Sequence, residues 1–188
     1  TRRDAAEPVT QFESSESSTA VSKSENETHV DVHVFDEQSD VELDMERYWR
    51  LAISVLTGEG VTQISELSIT FVSSDSIAAL NEQHMGHEGP TDVLAFPIDE
   101  HPTQTPNPAS SPLLLGDVIV CPSVAADNCL TNKGSYPGHE GSLTDELDLL
   151  VVHGILHVLG MDHADDHERH QMQERERDHL TGFTGRNL

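Results

Sequence analysis

Two histidines, His153 and His157, stand four residues apart in an otherwise apolar run, and a third, His163, follows a glycine. The full string is His153-Gly154-Ile155-Leu156-His157-Val158-Leu159-Gly160-Met161-Asp162-His163. On a helix, positions i and i+4 share one face about a turn apart, so both imidazoles can reach one ion. A turn at Gly160 lets the third fold back towards them. Three imidazoles leave a cation its full positive charge and one open position, the donor set of a catalytic zinc site rather than a closed structural one. Zinc lowers the pKa of water held there to about 7, and it polarises a phosphoryl or carbonyl oxygen. The expected catalytic species is therefore a zinc-bound water, with one Zn2+ per chain. A lone buried histidine usually just satisfies a backbone carbonyl. With 12 His and 12 Gly in 188 residues, chance placement of this spacing comes to roughly 0.003.

Other residues compete for a role. His163, His167 and His170 also lie at helical spacing, but in a charged segment where imidazoles are mostly solvated. His84, His87 and His139 fall in or near expected loops; each could border the site, and solvation is the default reading. Asp92, Asp117 and Asp162 are candidates to orient a zinc ligand or a water from strand ends and the turn. Carboxylates at such junctions also cap turns or bond backbone amides. Thr91 reads as no more than the start of its strand.

The elements that must position these residues follow from periodicity. His29 to Phe35 alternates as a half-buried strand, and Asp44 to Thr57 carries apolar residues at helical spacing up to Gly58. Leu67 to Val72 is a second strand, and Ser74 caps a helix to about His84. Asp92 to Phe96 is a third strand closed by Pro97, and Leu113 to Val120 is a fourth, continuous enough to be buried on both faces. Residues 99–112, with four prolines, read as an exposed loop. A short helix follows Pro122, and residues 131–141 are loop. Ser142 with Asp145 forms a capping box ahead of a helix apolar on nearly every face, stopped by Gly160. A charged helix from about Ala164 to Leu180 ends the domain. This pattern predicts an α+β fold, a four-stranded mixed sheet packed with helices around a central buried helix that carries the ligands.

Thirty-four acidic and 10 basic side chains give a net charge of -24. The charge argues against the familiar nucleic-acid binders with a basic face: Lys133 is the single Lys or Arg between Leu51 and Glu168. A bound metal would supply the positive charge that an anionic substrate needs, although solubility and salt adaptation also explain acidity. Residues 1–28, serine-rich and acidic, predict a disordered extension; 29–182 a single metal-hydrolase domain; 183–188 a tail. No run reaches the ~20 apolar residues of a membrane span. No secretory signal is visible after Thr1, and Cys121 and Cys129 form neither a disulfide scaffold nor a metal motif. A reduced, cytoplasmic setting is expected.

The spacing His-x-x-x-His-x-x-Gly-x-x-His is shared with metzincin proteases, but their general-base Glu is Gly154 here. Peptide hydrolysis would need another base. The string from His153 to His163 resembles instead the signature of the YbeY family of bacterial single-strand-specific, metal-dependent endoribonucleases. Leu80-Asn81 with Pro90-Thr91-Asp92-Val93-Leu94-Ala95-Phe96-Pro97, and Leu115-Gly116-Asp117-Val118-Ile119, extend the likeness over about residues 30–180. The resemblance implies a zincin-like fold, zinc held by His153, His157 and His163, and a role in maturing the 3′ end of 16S ribosomal RNA and in ribosome quality control. It further implies single-stranded ribosomal RNA precursors and the small ribosomal subunit as partners, with no DNA and no membrane. Met85 stands where many members have an Arg thought to touch RNA phosphate, and with Gly-Pro-Thr-Asp after it looks like the actinobacterial branch; Ala95 stands where Ser is common. A zinc peptidase-like hydrolase, or an assembly factor with a structural metal site, are the alternatives.

Overall fold

Val30, Val32 and Val34 alternate with more exposed side chains, and an extended chain with that period presents one apolar face. Five strands assemble in a computed structural model that describes residues 19–23, 30–61, 64–98 and 112–185. They are β1 (Thr19–Lys23), β2 (Val30–Asp36), β3 (Ser65–Phe71), β4 (Val93–Pro97) and β5 (Leu113–Val120), in the order β1-β2-β3-β5-β4. The central pairs β2/β3 and β3/β5 are parallel, while β1/β2 and β4/β5 are antiparallel. The four strands expected between residues 29 and 120 thus form the mixed sheet, and β1 adds a fifth at its edge.

That fifth strand corrects the reading of residues 1–28 as uniformly disordered. Thr19 to Lys23 pairs with Asp36 to Val32, so the open edge of β2 supplies the backbone partners that local composition lacks. The rest of that stretch, and residues 99–111 of the expected proline-rich loop, lie outside the described residues.

Helices cover both faces. On one side pack α1 (Met45–Gly58) and α4 (Leu143–Val158), with α5 (Asp166–Thr184) laid against them. On the other, α2 (Ser74–Met85) brings Ile77 onto Val72, Leu94 and Cys121. A short α3 (Pro122–Asn128) follows β5. Ser73, not Ser74, caps α2, because its hydroxyl accepts the Ser76 amide. The domain also runs past residue 182: Phe183 packs on the core beneath the Arg47 guanidinium, 5.3 Å from its ring centre, so α5 continues to Thr184.

The central helix α4 is the element that positions the site. Ser142 and Asp145 cap it reciprocally. Its buried Asp148 takes a two-pronged ion pair from Arg47 of α1, at 2.9 and 2.5 Å. Gly154 lies against the sheet so closely that a Cβ there would overlap a Val118 methyl. Replacing Gly154 with Ala is therefore expected to destabilise the fold by about 1–3 kcal/mol through overpacking, measured by denaturant unfolding. The same contact explains why no protease-like Glu fits after the first histidine.

Candidate metal centre

His153 and His157 project from the last turns of α4 on one face, half-buried. The helix then ends in a Schellman turn. Met161 N–H bonds Leu156 O at 3.0 Å and Gly160 N–H bonds His157 O at 2.9 Å. Gly160 sits at φ +93°, a conformation that suits glycine and reverses the chain. Asp162 Oδ1 then accepts the His163 amide at 2.7 Å, setting the third ring after the turn.

The structure brings the three imidazoles together. Each offers one nitrogen, and these lie within 4.8 Å of one another. The rings of His153, His157 and His163 are 4.6, 5.0 and 5.7 Å apart, centre to centre. Nε2 of His157 lies 3.1 Å from Nε2 of His153, so both aim the same atom at one point. Tetrahedral zinc with Zn–N near 2.0–2.1 Å holds its nitrogens about 3.4 Å apart. Small ring rotations reach that spacing, and the donor set suits zinc or another imidazole-preferring ion.

A further residue completes the arrangement. His153 Nδ1 meets Glu176 Oε1 at 2.7 Å, and the carboxylate is only 12% exposed. A carboxylate accepts the Nδ1 proton, which leaves Nε2 bare for a cation. Sequence reasoning missed Glu176. Its signal is that it falls midway between Met172 and Leu180, the buried residues of an otherwise charged helix.

Burial, reinforced by neighbouring His153 and His163, holds His157 below the ordinary imidazole pKa. The sign follows directly. The unfolded chain binds a proton near pH 6.5 and the folded chain resists it, so stability is full above that value and falls as pH drops below it. Protons and metal also compete for the same nitrogens. Lowering pH from about 7.5 to about 5 is expected to weaken both zinc binding and metal-free stability. Calorimetry with and without zinc checks it, and invariance across that window would contradict a neutral His157.

The carboxylates divide. Asp92 borders a cavity that His153 and His163 also line, but its oxygens accept from the Val93 amide at 2.9 Å and Asn128 Nδ2 at 3.2 Å, so it braces the start of β4. Asp162 serves its own turn. Asp117 is not brought to the site: Val118 faces Gly154, and period-2 alternation turns Asp117 to the other side of the sheet, paired with Phe96. Thr91 and His87 line the groove beside the triad. His84 is exposed and packs edge-on against Phe96.

His139 is buried, not solvated, with Nε2 2.9 Å from Glu146 Oε2. Gly141 N–H donates to its Nδ1 at 3.2 Å, so the neutral ring donates to a buried carboxylate that α4 carries. The second ligand set does not form: His167 and His170 stand exposed on α5, with His170 3.3 Å from Glu174. Cys121 and Cys129 are free and buried. Among the described residues, no helix is long and apolar enough to cross a membrane.

Known proteins resemble this chain. A family model described as Endoribonuclease YbeY matches residues 31–184. A protein of Salinispora tropica named Endoribonuclease YbeY is 43% identical over 72% of this chain and 85% of its own length. One of the same name from Thermobifida fusca is 42% identical over 78% of this chain and 90% of its own. A solution structure of a Thermotoga maritima protein superposes with a TM-score of 0.54 at 24% identity, over 82% of this chain and 89% of that one, a likeness of fold. With the family match running from β2 to the last turn of α5, most of the chain, the chain belongs to the YbeY family.

Proposed function

We propose that this protein is a zinc-dependent endoribonuclease that cuts single-stranded RNA, acting in the cytoplasm on ribosomal RNA precursors at the 3′ end of the small-subunit RNA. The convergence of three imidazoles on one point carries this reading, in a chain whose relatives are named endoribonucleases. A zinc ion held there supplies a Lewis acid for a phosphoryl oxygen and makes water acidic enough to ionise near neutral pH.

The chain's own residues do the rest. Glu176 fixes the ring of His153, and burial keeps His157 unprotonated and able to donate a lone pair. Asn81 holds the loop after α2 by donating to Gly89 O at 2.9 Å, which shapes the groove wall that Thr91 and Ala95 continue. Arg47, Lys133, Arg169 and Arg175 are each paired with a carboxylate, and the described residues lining the groove beside the triad include no Lys or Arg. A metal at the triad is the cation that fits the role of meeting phosphate there.

Chelation followed by zinc return tests the reading. Metal-free protein should leave a labelled single-stranded RNA intact, and about one equivalent of zinc should restore cutting. Cutting by protein shown to be metal-free would defeat it. Hydrolysis of casein with RNA untouched would make the protein a peptidase.

A further inference from the structure

The histidine triad stands between two cavities. His153 and His163 line both: one of about 340 Å3 between α4 and α5, and a groove of about 560 Å3 along β4 and the loop after α2. Their walls differ in charge. The smaller carries Asp92, Glu146 and Glu176 against Arg169 alone, and Arg169 is already paired with Asp166 at 2.9 Å. The larger carries one carboxylate, Asp162, whose Oδ1 is turned to the His163 amide. Like charges repel most where water is scarce, so a run of phosphates is directed to the larger groove and away from the smaller cavity.

The acids of the smaller cavity are not a cation cage, because each is already bonded. Glu146 accepts from Asn132 at 2.6 Å and pairs with His139, Asp92 braces β4, and Glu176 holds His153. What remains to meet a ligand is an apolar wall of Val93, Leu149, Leu150 and Met172, edged by the side-chain amide of Gln173. Apolar walls with a few polar groups at the margin fit a flat, neutral ring system that is apolar on its faces and polar at its rim. In single-stranded RNA that description belongs to an unstacked base.

We propose that the smaller cavity receives one nucleobase adjacent to the scissile phosphate while the sugar–phosphate strand follows the larger groove. The proposal rests on the nuclease reading and adds its base subsite. The triad then sits where the strand crosses from one cavity to the other.

The test uses the full zinc-loaded chain and a series of single-stranded RNAs, each with one base removed at a successive position around the cut. Removal at one position beside the cut should slow cleavage by about tenfold or more, the scale of a single base contact, with little effect two or more positions away. Leu149→Trp fills the cavity from its wall, and Gln173→Trp, on an exposed position of α5, closes it from its rim. Either should slow cutting of intact RNA by a similar factor, add little on the RNA already lacking that base, and keep one zinc per chain. Cutting that is indifferent to base removal at every position, or unaffected in both zinc-loaded Trp variants, overturns the subsite and leaves the nuclease reading intact. Failure of the wild-type protein to cut any single-stranded RNA overturns both.

Discussion

Replacing His157 with alanine is expected to lower RNA cleavage by more than about a hundredfold, since losses of that size already follow removal of residues one shell further from a metal. Zinc should be lost in parallel, leaving two imidazoles where three had met. The fold should survive: the ring is half-buried and outside the apolar core, which places the destabilisation near about 1 kcal/mol. Metal analysis, RNA cleavage and denaturant unfolding of the one variant check all three statements. Unfolding together with metal loss would show instead that the ion is part of the scaffold.

Glu176→Gln should weaken zinc binding by about 10–100-fold while leaving the protein folded. The amide keeps the size of the carboxylate and an oxygen to accept the Nδ1 proton of His153, but not the charge that raises the basicity of Nε2. Competition with a coloured chelator measures the dissociation constant directly. An unchanged constant would reduce Glu176 to a packing residue that ties α5 to α4. Glu176→Ala, which removes the acceptor as well, should be weaker still.

The three histidines of the candidate site were readable because each lies near the others in sequence and the helix period and a glycine carry them into one place. The four strands of residues 29–120 and the capping box of Ser142 and Asp145 were legible for the same reason, being local patterns. What escaped depended on distance along the chain. Glu176 meets His153 only because α5 folds back on α4, and nothing within either segment says so. His139 looks solvent-bound by its loop neighbours, yet it is buried by a Glu on the following helix. Asp117 was ambiguous until the register of β5 against β4 decided which side it faces. The strand at Thr19–Lys23 has weak local character and takes its form from a neighbour's unused hydrogen bonds.

That last strand has a consequence for handling the protein. Removing the residues ahead of Val30 would strip β2 of its antiparallel companion and leave a row of amides and carbonyls facing solvent. Such a row templates the addition of another chain. The strand Thr19–Lys23 thereby acts as a molecular hem, and a version trimmed of it should be more prone to stick to itself.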